Sequence, residues 1–407
     1  MTGKANKISH TLLILFLLAS YQISNAQEVV LHGNEPAYRG EEITFYTFTD
    51  FISQQHKKLC TSQVGADGNF KCSFSINETC KIYVELGVFR AYLFVEPGKT
   101  YNIVLPPKKE KDRAQRLNPY FEPYPYHIGL KNTKSKGLNA HIYTFYNQYN
   151  HFFNQNATRL NHTSRKKDSI LQLLEETTNF DHPFFHTLKT YKTKGLRITL
   201  NGKRFRLKQS LFNDSSIYYN NPAYGELFNT LFQDYFKDFS SSYGFSVFHA
   251  INQEKDIRKI DSIIARDSLL KDNPKLREVA MLKGLHDLFY SKEVSEESVI
   301  AVIDSFATWT NIEQHRIIAK NIKAKITQLL PGYEAPSFCL YDSDSSKVCL
   351  SDFKGEYIYL GFCNKLNYSC LKDYKILKNL HKKHKQHFRI VTISTAETFD
   401  QMKEFIE

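Results

Sequence analysis

The alternation of apolar runs after Pro331-Gly332 constrains the fold more than any other feature of this sequence. From that point the pattern is strand, turn, strand, helix, strand and helix. The central part is an apolar strand at 357–362, a helix at 371–384 and a strand at 388–393. Strands that alternate with helices predict an α/β sheet with crossover connections. We therefore expect residues 331–407 to form a separate α/β domain.

The rest of the chain predicts two further regions and a connector. Residues 27–107 contain short β-rich runs between turn signals, which is typical of a small antiparallel β-sandwich. Residues 108–137 combine prolines with Tyr and Phe and predict an ordered connector. Residues 138–330 carry apolar stripes at helical spacing, and Asn273-Pro274 marks a helix start. The predicted fold class is α+β with several domains, including a central α-helical region.

Residues 1–26 are typical of a secretory signal peptide. Lys4 and Lys7 form a positive n-region, an apolar run follows at 12–19, and small residues precede a cleavage point after Ala26. The apolar run is too short to cross a bilayer, which needs about 20 residues. We expect an exported chain without a membrane span after cleavage of the signal.

Composition excludes some classes of protein. Hydrophobic residues make up 42% and aromatic residues 14% of the 407 residues, so wholesale disorder is excluded. The net charge of +12 is spread over short basic runs among polar residues, whereas nucleic-acid binding needs one coherent basic patch. We expect no nucleic-acid partner, and no motif predicts a cofactor or a metal site.

The position of a short loop predicts one disulfide. If residues 342–346 form the loop between two strands, Tyr341 faces Lys347 and Cys339 faces Cys349. This register favours a structural cross-strand disulfide. The alternative is that both cysteines are small buried hydrophobic residues.

The five other cysteines leave their pairing open. Cys60, Cys72 and Cys80 lie in the predicted sandwich, where we expect one pair and one unpaired thiol. Cys363 and Cys370 are separated by six residues, which permits a disulfide. That disulfide would be a redox pair or a structural link, and its absence is the third alternative.

Several motifs carry a resemblance to a known family. The segments G-Y-E-A-P-S-F at 332–338 and V-C-L-S-D-F-K-G at 348–355, with the strand at 357–362, resemble thioredoxin-like redoxins of the TlpA/ResA and AhpC/TSA type. D-G-N-F at 67–70 and V-E-P-G-K-T-Y at 95–101 are similar to the DUF4369-like β domain that precedes such redoxins in Bacteroidetes. The resemblance implies a periplasmic protein of a Gram-negative cell, with secretion as the alternative.

The resemblance also implies a redox site with one position changed. The family has a Trp and a C-x-x-C after this strand, and these positions correspond to Cys363 and to Asn367-Tyr368-Ser369-Cys370. Asn367 replaces the nucleophilic cysteine, and Cys370 is the resolving cysteine. Because disulfide exchange needs a thiolate and a second thiol, we expect Cys370 and Cys363 as the candidate redox pair. The implied function is thiol–disulfide exchange with weak or lost activity.

Two other functions remain open. One is a non-catalytic binding or structural protein on the same scaffold. The other is a peroxiredoxin-like antioxidant in which Cys370 is the peroxidatic cysteine and Asn367 replaces the Thr of a T-x-x-C motif. The implied partners are a protein thiol or disulfide substrate and a membrane redox reductant, and the oligomeric state is not predicted.

The family fold implies more residues than this region contains. A thioredoxin-like sheet continues with a strand preceded by a cis-proline, whereas no proline follows Pro336. We therefore expect 331–407 to be a truncated, partial thioredoxin-like fold.

Overall fold

The computed structural model describes residues 26–118, 120–131, 137–162, 172, 174–176, 178–201, 212, 216–363, 368–384 and 388–394; the side chains of 117, 156–162, 199–201 and 368–371 are not described. The chain forms two compact units, Met1–Ile326 and Thr327–Glu407. Helices and mixed sheets occur together, so the predicted α+β class is confirmed. The predicted signal peptide at 1–26 lies outside the described residues except for Ala26.

Two sheets form the β-rich part of the first unit. In chain order the strands are β1 (Gln27–Asn34), β2 (Glu42–Phe48), β3 (His56–Gln63), β4 (Asn69–Ile76), β5 (Cys80–Leu86), β6 (Phe89–Val95), β7 (Thr100–Val104), β8 (Tyr124–His127) and β9 (Gly129–Leu130). The first sheet has the order β4-β1-β7-β9, and the second has the order β3-β2-β5-β6-β8.

The prediction of an antiparallel sandwich is wrong in one respect, because both sheets are mixed. β1 pairs in parallel with β7, and β6 pairs in parallel with β8. Turn signals specify only antiparallel neighbours in hairpins, whereas parallel partners are joined by long connections that leave no local signal. β8 and β9 come from the predicted connector, and Pro125 is tolerated in β8 because an edge strand has a free side.

The sandwich core is one buried cluster that both sheets share. Burial alternates along β4, as expected for a strand with one face in a core. Leu31 and Ile103 of the first sheet and Phe45 and Ile82 of the second are fully buried in this cluster.

The cysteines of the sandwich form one pair and leave one unpaired thiol. Cys60 on β3 forms a disulfide with Cys72 on β4, so the disulfide joins the two sheets. Cys80 is buried and free.

Helices dominate the rest of the first unit that the structure describes. They are α1 (Arg113–Leu117), α2 (Leu138–His162), α3 (Pro183–Asn201), α4 (Pro222–Leu231), α5 (Tyr235–Tyr243), α6 (Ser246–His249), α7 (Ile257–Ile264), α8 (Pro274–Ser291), α9 (Glu296–Trp309) and α10 (Glu313–Thr327). The predicted helix start is confirmed, since Asn273 Oδ1 accepts a hydrogen bond from Leu276 N, 3.0 Å. Within the described ranges, no helix has the length and apolar character that crossing a bilayer requires.

The loop between β2 and β3 joins the sandwich to the helices. Phe51 packs against Tyr224 and Phe228 of α4, and its carbonyl accepts a hydrogen bond from Asn229 Nδ2, 2.6 Å. Asp50 is buried, and its Oδ2 accepts from Asn321 Nδ2 of α10, 2.9 Å. The sandwich and the helices are thus parts of one compact unit.

The second unit contains a hairpin and a β-α-β segment. β10 (Cys339–Tyr341) and β11 (Lys347–Cys349) are antiparallel. β12 (Ile358–Cys363) and β13 (Arg389–Ser394) are parallel and are joined by α11 (Tyr368–His384). The strand, helix and strand that the sequence pattern predicts are therefore confirmed to within a few residues.

Candidate functional site

The hairpin of the second unit has the register that its loop length predicts. Cys339 lies opposite Cys349, and the two form a disulfide. Asp342 shapes the loop because its Oδ1 accepts hydrogen bonds from the backbone N–H groups of Asp344 and Ser346, both 2.9 Å. An aspartate that accepts from the residues after it is a usual way to fix such a turn.

The motif at 348–355 forms the turn that leads into β12. Asp352 Oδ2 accepts a hydrogen bond from Cys349 N, 2.8 Å, across a helical turn at Leu350–Phe353. Gly355 has a φ of +94°, a conformation that residues with a Cβ rarely adopt. The motif residues therefore have a structural role, which is to direct the chain into the strand that ends at Cys363.

Glu356 and Arg389 join the beginnings of the two parallel strands. Glu356 Oε2 lies 2.8 Å from Arg389 Nε, and Arg389 Nη2 donates to Glu356 Oε1, 2.9 Å. Arg389 also lies over the ring of Phe353, and its backbone N–H donates to the carbonyl of Tyr357. The sequence motifs did not predict this pair. The sequence signal that could have indicated the pair is an acidic residue just before β12 and a basic residue at the start of β13.

Cys363 is the last residue of β12 and lies beside Ser394 at the end of β13. It is buried, with 6% of its surface exposed, and it is disulfide-bonded. Cys370 is the third residue of α11, and its side chain lies outside the described residues. Asn367, the position that lacks the nucleophilic cysteine, also lies outside them.

The backbone places Cys370 in the first turn of a helix that follows a parallel strand. The free N–H groups and the macrodipole of a helix N-terminus stabilise a thiolate there. A buried cysteine at a strand end is a poor nucleophile because a thiolate needs solvent or positive charge. The arrangement therefore suits Cys363 as a resolving cysteine better than as the attacking cysteine.

Apolar side chains are exposed around this strand and helix. Phe362, next to Cys363, is 69% exposed, and Tyr359 on the same strand is 46% exposed. On α11, Tyr374 and Leu380 are exposed as well.

The described residues contain no group of three or more His, Cys, Asp or Glu side chains arranged to hold a metal ion.

Comparisons with known proteins give a partial similarity. No family model matches the chain, and no solved structure matches it. The thiol-disulfide oxidoreductases ResA of Bacillus thuringiensis subsp. konkukian and of Bacillus cereus are each 31% identical over 77 residues. The aligned part is 19% of this chain and 44% of each relative, so the chain spans less than half of the relatives' length. This similarity supports a thioredoxin-like region in the chain.

Proposed function

We propose that the second unit is a thioredoxin-like domain that exchanges disulfides through Cys370 and Cys363. The observation that carries the proposal is a buried, disulfide-bonded Cys363 at the end of a parallel strand, followed by a helix whose third residue is Cys370. The similarity to ResA supports it, and we assign the 77 similar residues to this unit because the redoxin motifs lie there.

In the proposed reaction the Cys370 thiolate attacks one sulfur of a substrate disulfide. The substrate S–S bond breaks, a Cys370–substrate disulfide forms, and the other substrate sulfur leaves as a thiolate that takes up a proton. The Cys363 thiol then loses its proton and attacks the Cys370 sulfur. The second substrate thiolate leaves, and a Cys363–Cys370 disulfide forms. One substrate disulfide is reduced and one dithiol of the protein is oxidised, so a reductant of the dithiol class must restore the protein.

The same site argues for low activity. Asn367 occupies the family's nucleophilic position. Cys370, which corresponds to the family's resolving cysteine, would therefore have to act as the attacking cysteine. A non-catalytic binding or structural protein is therefore the second candidate, and this substitution is the observation that favours it. The exposed Phe362 and Tyr359 suit a protein partner in either case.

The remaining parts of the proposal concern the rest of the chain. We propose that 27–107, with its mixed sandwich, is a DUF4369-like domain of the Bacteroidetes type, and that 1–26 directs export to the periplasm. The inter-sheet Cys60–Cys72 disulfide supports export, because disulfides persist in oxidising compartments.

The test is a disulfide-reduction assay with the full chain, reduced by dithiothreitol and then freed of it. We expect the wild type to reduce oxidised insulin, Cys370→Ser to lose this activity, and Cys363→Ser to accumulate a mixed disulfide visible by mass spectrometry. Cys339→Ser/Cys349→Ser is the matched control and is expected to retain the activity. If wild type and Cys370→Ser reduce insulin equally, the redox function is wrong and the non-catalytic function stands. Sulfenic acid at Cys370 after peroxide treatment, without insulin reduction, would instead favour the peroxiredoxin-like alternative.

A further inference from the structure

The outer face of the first sheet carries a row of polar side chains that cross all four strands. Lys71 on β4 lies opposite His32 on β1, and His32 lies beside Asn102 on β7. Lys131 extends the row past β9, since its backbone N–H donates to the carbonyl of Asn102, 2.8 Å. Neighbouring strands are about 4.8 Å apart, so the row extends over about 14 Å.

These four side chains line one groove. The groove has a volume of about 680 Å³, within the range of small-ligand sites. Two positions further along the strands, Asn34 and Asn69 line the same groove, together with Asp67 from the turn. Asn34 Nδ2 donates to Asn69 Oδ1, 2.7 Å, and Asn69 Nδ2 donates to Asp67 Oδ2. The backbone N–H and the amide of Asn69 hold the pKa of the Asp67 carboxyl below its usual range.

The lysines of the row are not neutralised by acids. Some exposed lysines elsewhere in this unit have carboxylate partners, as in Lys99–Glu96 at 2.8 Å and Lys259–Glu254 at 2.5 Å. In the part of the chain that the structure describes, Lys71 and Lys131 have no acid within ion-pair distance. The groove therefore has positive charges at both ends of its basic row and amide groups to one side.

The lining decides which class of anion fits. Single-stranded nucleic acid binds by stacking its bases on exposed aromatic rings, whereas the only Phe, Tyr or Trp among the described lining residues is Phe70, which is 5% exposed. Amide groups pair with hydroxyl groups, because an amide both donates and accepts hydrogen bonds. Asn34 Nδ2 already donates to Asn69 Oδ1 and to the carbonyl of Asp67, and Gln63 Nε2 donates to the carbonyl of Gly40. The amide of Asn102 and the amide oxygens of Asn34 and Gln63 are therefore the groups that would meet ligand hydroxyls. We propose that this groove binds an acidic oligosaccharide, with its carboxylate or sulfate groups at Lys71, His32 and Lys131 and its hydroxyls at the amides. This site does not depend on the proposed redox function.

The test is isothermal titration calorimetry of the full chain with trigalacturonic acid at two salt concentrations. We expect saturable binding that weakens as salt rises, and at least tenfold weaker binding by Lys71→Ala/Lys131→Ala. Lys57→Ala, an exposed lysine on β3 of the other sheet, is the matched control and is expected to change the affinity less than twofold. Thermal unfolding of each variant establishes that it is folded.

Three comparison ligands make the proposal specific. Maltotriose, a neutral trisaccharide, and tricarballylate, an anion without a sugar, are expected to bind at least tenfold more weakly than trigalacturonic acid. Equal binding of either, no binding of trigalacturonic acid by the wild type, or equal binding by the double variant would overturn the proposal. Tighter binding of an oligouridylate would assign the groove to nucleic acid instead and would also overturn it.

Discussion

His315 Nδ1 lies 2.7 Å from Glu278 Oε2, and this contact links α10 to α8 inside the first unit. His315 is fully buried. Its Nε2 lies 2.8 Å from the hydroxyl of Tyr219, and the same Glu278 oxygen accepts a hydrogen bond from Thr310 Oγ1, 2.6 Å. Burial and the Glu278 charge raise the pKa of Tyr219 to about 12, so Tyr219 remains a neutral hydrogen-bond partner at ordinary pH.

We expect His315→Phe to lower the free energy of unfolding of the first unit by about 1–3 kcal/mol, because it removes a hydrogen-bond partner of the largely buried Glu278 carboxylate and of Tyr219. The fluorescence of Trp309, the single tryptophan of the chain, reports urea unfolding of this unit. The control is the double variant His315→Phe/Glu278→Leu, which removes both hydrogen-bonding partners. The double variant is expected to lose less free energy of unfolding than the sum of the losses in His315→Phe and in Glu278→Leu. A loss below about 0.5 kcal/mol in His315→Phe, roughly the scale of surface substitutions, would contradict the prediction.

The sequence predicted features that local rules determine. The loop at 342–346 sets the register of its two strands, so Cys339 opposite Cys349 followed from counting residues. The N-cap at Asn273 followed from the side-chain chemistry of one helix end. In both cases the partners lie within a few residues of each other or of one turn, and the physical rule needs no tertiary information.

Features that depend on distant partners were missed. Whether Cys60 pairs with Cys72 or Cys80 depends on which strands of two different sheets face each other, and short strands do not encode this locally. β8 and β9 join the sheets as edge strands whose partners lie more than 20 residues away. For the candidate site, the sequence indicated Cys363 and Cys370 but missed the Glu356–Arg389 pair, because that pair depends on β12 and β13 being adjacent.

Position 225 on α4 is expected to tolerate only glycine, because the side chain of Phe51 packs directly against it. A Cβ at Gly225 would lie 2.6 Å from Cβ of Phe51, in the loop that joins the sandwich to the helices. We expect Gly225→Ala to cost about 1–3 kcal/mol by overpacking, measured by urea unfolding with Trp309 fluorescence. Gly195→Ala is the matched control, since its nearest contact would be an ordinary 3.8 Å to Leu227.

The background variant Phe51→Gly, which removes both the ring and the Cβ of residue 51, tests whether this contact is the cause. In that background the methyl group at position 225 has room, so Gly225→Ala is expected to cost less than about 0.5 kcal/mol. An equal cost in both backgrounds would show that the contact with Phe51 is not responsible.

Reversal of one charge at the start of β12 is expected to loosen the parallel strand pair. Glu356→Lys replaces a two-point ion pair with repulsion from Arg389. Both side chains are about half exposed, so we expect a loss of about 1 kcal/mol or less. Hydrogen exchange of the β13 amides is then expected to be up to about fivefold faster. Glu356→Lys/Arg389→Glu restores opposite charges and is expected to restore slow exchange; exchange as fast as in the single variant would contradict this role.

Cys80 is expected to make the stability of the first unit fall at alkaline pH. Burial raises the pKa of the Cys80 thiol to about 12, whereas an unfolded thiol has a pKa near 8.5. Between these values the unfolded chain releases a proton that the folded chain keeps, so the folded state binds more protons and its stability falls as pH rises. The slope from this one group approaches about 1.4 kcal/mol per pH unit.

Cys80→Ala removes that group but leaves the buried tyrosines unchanged. We therefore expect the difference in free energy of unfolding between wild type and Cys80→Ala to be nearly constant from pH 6 to 8 and to shift against the wild type by about 2 kcal/mol at pH 10. Urea unfolding at pH 7 and pH 10 measures this difference, and an unchanged difference would mean that the folded protein also releases this proton.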